Sequence, residues 1–127
     1  KGNDNTEEGD ITINVDTVSY NTSSDYRLKD NEVLISDGIT RLKILKPYRF
    51  NFKRDPSKTV DGFFAHEVTP VVPEAITGEK DAVDQNGEIM RQSIDHSKLV
   101  PLLTAALQEA ITKIETLETK VAALEAA

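Results

Sequence analysis

Residues 11–18 alternate, with Ile11, Ile13 and Val15 on one side and Thr12, Asn14 and Asp16 on the other. This two-residue period predicts a half-buried β-strand. The ten residues before it are polar and acidic and predict a loop or frayed end. The Ser-, Asn- and Asp-rich run 19–31 predicts a turn or linker. After Val33, Leu34 and Ile35, either Ser36 or Asp37 can cap a helix reaching Leu45, which Pro47 ends. Ile39, Leu42 and Leu45 give that helix one apolar stripe. Tyr48, Phe50 and Phe52 alternate with Arg49, Asn51 and Lys53, so a strand is expected there. A turn at 54–58 and a second strand at Gly62–Ala65 would make 47–66 a hairpin. Pro70 and Pro73 break the next segment, residues 77–88 form a polar loop, and Ile89–Ile94 suit a short strand. Ser97 or Asp95 caps the last helix, with Pro101 in its first turn, where a missing amide costs little.

That last helix carries the strongest periodicity in the chain. Apolar residues fall at Val100, Leu103, Leu107, Ala110, Ile114, Leu117, Val121 and Leu124, spaced alternately three and four apart without a break. A sustained 3.5-residue period predicts a left-handed supercoil with partner helices. Val100, Leu107, Ile114 and Val121 take the a positions, and Leu103, Ala110, Leu117 and Leu124 the d positions. Lys113 and Lys120 fall at g, and Glu118 and Glu125 at the e positions they would face in parallel, in-register helices. Ile111 at e broadens the apolar face, with Thr104 and Ala106 small enough to join it, which suits three helices. β-Branched a residues with Leu at d suit two. The expected state is a homotrimer; the competing reading is a long amphipathic helix packed on its own domain.

Composition narrows the class. The 127 residues hold 15 Lys and Arg against 22 Asp and Glu, a net charge of −7, which argues against general affinity for DNA or an anionic membrane. There is no cysteine, so disulfides and thiolate sites are excluded. No apolar run approaches the roughly 20 residues that cross a bilayer. Four Phe, three Tyr and no Trp predict a small core. The sequence begins at Lys1 rather than Met, so a fragment of a longer protein is expected.

One pair in the linker can do chemistry. Ser24 and Lys29 lie five residues apart. A serine needs a base to remove its proton, and a lysine is a base only when neutral. At its free pKa of about 10.4 only about one lysine in 2500 is neutral at pH 7. Burial, or a neighbouring cation, shifts that balance, and Arg27 and Leu28 stand nearby in the sequence. His66-Glu67 could orient a catalytic group or hold a metal, but a hydrogen-bonded structural pair is the simpler expectation. His96 is expected as a polar group near the helix start. Seven basic residues (Arg41, Lys43, Lys46, Arg49, Lys53, Arg54, Lys58) crowd 41–58 against Asp55 alone. No groove-reading or stacking motif accompanies them, so a solvated strand face, or one meeting acidic segments of neighbours, is expected. No phosphate loop and no metal-ligand spacing is present, so neither cofactor nor metal is expected.

Ser24-Asp25-Tyr26-Arg27-Leu28-Lys29 resembles the S-D-x-R-x-K start of the intramolecular chaperone auto-processing domain, the peptidase S74 family, found at the C-termini of bacteriophage tailspikes, tail fibres, neck appendages and endosialidases. Four further blocks follow in order. Leu42 to Phe52 resembles L-x-x-L-x-P-x-x-F-x-W/F, and Gly62 to Val68 resembles G-F-I-A-Q/H-E-V. Pro73-Glu74-Ala75-Ile76 resembles P-E-A/L-V, and Ser93 to Leu103 resembles S-V-D-Y-S-K-L-V-P-L-L, with His96 in place of the usual Tyr. The resemblance spans 24–127.

The resemblance implies a self-cleaving assembly chaperone. Ser24 would be the nucleophile, Lys29 its base and Ser23–Ser24 the bond cut, while His66, Glu67 and Asp95 would belong to the structural and assembly motif. Residues 1–23 would be the end of a fibrous stalk with its pre-cleavage segment, 24–96 an α+β body, and 97–127 the coiled-coil helix. The expected fold is therefore α+β, a small antiparallel hairpin domain with a short helix and a long C-terminal helix in a parallel trimeric coiled coil. Expected partners are two further copies and the preceding stalk of the same chain, without nucleic acid or membrane. Assembly is expected in the host cytoplasm, with the parent protein in the virion and the chaperone released. A trimerisation domain that never cuts, or a receptor-binding fibre tip that stays attached, is the alternative.

Overall fold

The computed structural model describes residues 9–127, so most of the loop expected at 1–10, and the start of the stalk segment 1–23, lie outside the described residues. The chain forms two compact units, one ending at Leu34 and the other running from Ile35 to Ala127. The fold is α+β, with small antiparallel sheets and a long C-terminal helix.

In the first unit, β1 (Gly9–Ile13) and β2 (Val18–Thr22) form an antiparallel hairpin. This corrects the single strand expected over 11–18. The chain reverses at Asn14–Thr17, where the Asn14 amide donates to the Thr17 carbonyl at 2.9 Å. Asn and Asp favour such turns through local side-chain hydrogen bonding. Val15 therefore sits at the tip, 99% exposed, and its agreement with the Ile11–Ile13 alternation has no packing meaning. Residues 19–22, expected as linker, are part of the returning strand, which starts at Val18. Ile11 faces Tyr20 and Ile13 faces Val18 across the hairpin, so one face is apolar, and all four side chains are exposed. On the other face the Asn21 amide donates to Asp10 at 2.6 Å, and the Thr12 hydroxyl donates to Asp10 at 2.9 Å.

In the second unit, α1 (Gly38–Leu42) follows Asp37, and isolated turns carry the chain on to Leu45. The helix is shorter than expected: beyond Leu42 the Ile44 and Leu45 amides donate to carbonyls only three residues back, so the chain tightens into turns instead of continuing the helix. β3 (Tyr48–Phe52) pairs with β4 (Asp55–Gly62). Here too the expectation is corrected: the second strand starts at Asp55, directly after Lys53-Arg54, instead of at Gly62. Tyr48 is already paired with Gly62, so the residues beyond have no strand to join. Ala65–Val68 curl into the single helical turn α2. Two short strands, β5 (Ile76–Thr77) and β6 (Ser93–Ile94), pair across the polar loop. The strand expected over Ile89–Ile94 is thus limited to its last two residues, apart from an isolated Val83–Ile89 bridge.

The core is aliphatic rather than aromatic. Val68, Val71, Val72, Ala75, Leu99 and Leu102 are buried together, and Leu45, Phe63, Ile76 and Ile94 close over them. Pro70 and Pro73 bracket the two adjacent valines, both of which are buried in this core. Phe52, Phe64, Tyr20 and Tyr26 are exposed.

Asp95 caps the 3₁₀ turn His96–Leu99, its carboxylate accepting from the Ser97 amide at 3.0 Å and the Ser97 hydroxyl at 2.6 Å. α3 (Val100–Glu125) continues from this turn. Its stripe Leu102–Ala106 packs on α1, and a Cβ built at Gly38 would lie 2.6 Å from the Ala106 amide nitrogen. Gly38→Val is therefore expected to destabilise the second unit by about 1–3 kcal/mol. An unchanged thermal midpoint would show that this close crossing is not rigid.

Candidate active site

Asp25 starts the local structure that shapes the linker. Its carboxylate accepts from the Arg27 amide at 2.9 Å and caps a 3₁₀ turn, Tyr26–Leu28. The Leu28 amide donates to the Asp25 carbonyl and the Lys29 amide to the Tyr26 carbonyl, both at 3.1 Å. The turn brings the fifth residue back toward the first. Lys29 Nζ lies 2.7 Å from Ser24 Oγ. As an ammonium this nitrogen donates to the hydroxyl; as a free amine it would accept the hydroxyl proton across the same contact.

The surroundings differ from those expected. Arg27 is not a spare cation beside the lysine. Its Nε donates to Asp25 at 2.9 Å and its Nη2 at 2.6 Å, so its charge is paired. The Arg27 hydrogen bond, with the cap, holds the Asp25 carboxyl below the ordinary carboxylate range. Leu28 is exposed and does not cover the pair, and Ser24 and Lys29 are themselves exposed. The contact exists within one chain, while burial, the other requirement for a lysine base, is not supplied there. The Asp25–Arg27 pair was absent from the expected site, although its i, i+2 spacing between Ser24 and Lys29 could have suggested it.

His66 and Glu67 lie on α2 in the second unit, where they meet different neighbours. Glu67 accepts from Lys46 Nζ at 3.1 Å and from the Tyr48 hydroxyl at 3.4 Å. The Lys46 hydrogen bond pulls the Glu67 carboxyl below its usual range, and Glu67 pushes the Tyr48 hydroxyl up. His66 stacks on Phe64 with ring centres 6.1 Å apart. His66 and His96 line one open groove of about 650 Å³ with Phe50, Phe52, Phe63 and Phe64. Among the described residues no three His, Asp or Glu side chains converge as metal ligands.

The Lys46–Glu67 bond gives a signed pH dependence. A carboxylate with a lowered folded pKa adds stability that is complete above its unfolded value and is lost as pH falls through the lowered one. Lys46 is raised by Glu67, so its share is complete below its unfolded value and is lost only at strongly alkaline pH. Lys46→Met is therefore expected to lower the thermal midpoint at about pH 7 and to narrow the gap from the parent toward about pH 3. A gap equally wide at both would exclude the ion pair as its cause.

Three of the seven basic residues in 41–58 form ion pairs within the chain, Arg41 with Asp37 at 3.7 Å, Lys46 with Glu67, and Arg49 with Asp61 at 2.8 Å, and Arg54 lies over the Phe52 ring at 5.5 Å. On α3 the heptad positions other than Ala110 are 47–76% exposed. From Ile111 onward every residue of the helix is exposed. The reading of a helix packed on its own domain therefore describes only its first part, through Leu102 and Ala106, which face the chain's own core instead of the seam. Glu109 ends that packed part by accepting the Ile39 amide at 3.0 Å, and it also pairs with Lys113 at 3.3 Å. Among the described residues no helix is long and apolar enough to cross a membrane.

Residues 24–77 match the family model Peptidase_S74, described as chaperone of endosialidase. The match begins at Ser24 and takes in the Ser24–Lys29 contact, β3, β4, His66-Glu67 and the Pro73–Ile76 block. No curated protein matches the chain.

Proposed function

From the premise that residues 24–77 are a Peptidase_S74 segment, we propose that this chain is the C-terminal intramolecular chaperone of a phage fibre or tailspike-type protein, and that it severs itself from that protein between Ser23 and Ser24. The observation that carries the reading is the 2.7 Å contact between Lys29 Nζ and Ser24 Oγ at the first residue of the match. The family description supports a chaperone of endosialidase with serine-peptidase-like autoprocessing.

Three copies join along the heptad seam of α3 and hold the preceding stalk in register. Intertwined fibres require long-range contacts between chains, whose ordering entropy precedes their reward. A local helical clamp raises the effective concentration of the strands and starts the stalk aligned. The hairpin β1–β2, with its exposed apolar face, is the stalk end that neighbouring copies cover. Assembly also covers the wet dyad and releases the lysine's proton.

Neutral Lys29 then takes the Ser24 hydroxyl proton as the oxygen attacks the Ser23 carbonyl. The C–N bond breaks and the lysine returns the proton to the departing Ser24 nitrogen. The product is an ester of Ser23 on Ser24 Oγ. Water hydrolyses it, leaving a Ser23 carboxylate and a new amino terminus at Ser24. Removal of the clamp leaves the folded fibre kinetically trapped. The steps belong to phage assembly in the host cytoplasm, after which the parent protein enters the virion.

Mass spectrometry of a chain carrying its upstream stalk tests the reading. A fragment starting at Ser24 is expected. A permanently intact chain would favour an attached trimerisation domain or a receptor-binding tip, which the exposed seam would serve equally well.

A further inference from the structure

Resting on that reading, we propose that Asp25 and Arg27 form a positioning clamp that sets the Ser24–Lys29 contact, so that cleavage requires four residues of the linker rather than two. Fully extended, five residues span about 17 Å between Cα atoms, beyond the reach of one lysine side chain. The chain must therefore fold back between positions 24 and 29, and the 3₁₀ turn Tyr26–Leu28 does this.

Three residues of 3₁₀ helix do not hold themselves together, because the hydrogen-bond geometry is poor and the run is short. No residue of this turn is buried, so packing does not hold it either. What fixes it is the Asp25 carboxylate. One oxygen accepts from both the Arg27 amide and Nε, each at 2.9 Å, and the other from Nη2 at 2.6 Å. This forked, charge-assisted grip ties the side chain at the start of the turn to backbone and side chain two residues on. Ser24 directly precedes the cap, and Lys29 directly follows the turn as its C-cap. Neither Asp25 nor Arg27 needs to touch the scissile bond for this role.

The test uses the stalk-bearing chain, following cleavage by mass and assembly by light scattering. The parent must cut and Ser24→Ala must not, which secures the underlying reading independently. Asp25→Ala is then expected to assemble normally and to cut at least about tenfold more slowly, since small misplacements of reacting groups cost one to two orders of magnitude. Asp25→Asn keeps an acceptor at the cap and is expected to recover most of the rate, and Arg27→Lys to cut faster than Arg27→Ala. The deficit of Asp25→Ala should persist on the alkaline plateau, because deprotonating a misplaced lysine does not return it to the serine. Parental cleavage by Asp25→Ala would overturn the clamp. A deficit that vanishes at alkaline pH would also overturn it, assigning the pair to charge tuning. Equal loss in the Asn and Ala variants would overturn the capping role.

Discussion

A stalk-bearing chain with Ser24→Ala is expected to assemble and remain whole, and Lys29→Ala to cut about 10²–10⁴-fold more slowly than the parent. The two expectations differ in kind. Alanine at 24 removes the attacking atom, so no ester forms. Alanine at 29 removes only the base 2.7 Å from that atom, and water can still accept the proton slowly. Lys29→Arg sharpens the point. Arginine keeps the charge and much of the length but stays protonated, so it should be as slow as alanine. A lysine base also predicts a rate rising about tenfold per pH unit below its pKa, whereas a merely structural lysine predicts a flat profile. Normal cleavage by Lys29→Ala, measured as accumulation of the Ser24 fragment, would remove the lysine from the mechanism.

The Ser24–Lys29 pairing was legible in the sequence only as an ordered motif, and what the structure adds is their 2.7 Å contact. Spacing alone named Ser24 and Lys29 but supplied the wrong helpers, because a cation and a leucine nearby in sequence were expected to act on the lysine. Arg27 instead turns to Asp25, and Leu28 faces water. Sequence distance does not tell which way a turn throws its side chains. The same limit explains the hairpin errors. Ile11, Ile13 and Val15 fit one strand until the turn at Asn14–Thr17 is given its own hydrogen bonding. Gly62-Phe63-Phe64-Ala65 has strand composition, but Gly62 already ends the register with Tyr48. The strongest periodicities transferred best. Tyr48–Phe52 is a strand as its alternation required, and the break-free stretch after Pro101 is one helix to Glu125. The core was the least legible, since the aromatics drew attention while the buried cluster is aliphatic and includes the two valines between prolines.

Replacing both Ile114 and Leu117 with glutamate is expected to convert the proposed trimer into monomer at micromolar concentration and, with it, to abolish cleavage. The outer part of α3 has no support from its own chain, for every residue from Ile111 onward is exposed. Isolated helices of about 15 residues are marginal in water, so this stretch needs partners to persist. Ile114, Leu117, Val121 and Leu124 offer them one continuous apolar line, each at least half exposed. Burying one such side chain is worth about 1.5–3 kcal/mol, and two glutamates in the first half of the line replace that gain with unpaired buried charge. The core of the second unit does not depend on these positions, because its contacts end near Glu109. Its thermal transition should therefore survive while mass by light scattering falls to one chain. The cleavage arm separates two roles of assembly. The Ser24–Lys29 contact already exists in a single chain, so a monomer that still cuts at the parental rate would show that proximity suffices and that burial by neighbours contributes nothing. An uncut monomer with its second unit intact would identify the missing ingredient as the dry environment that only the assembled copies provide.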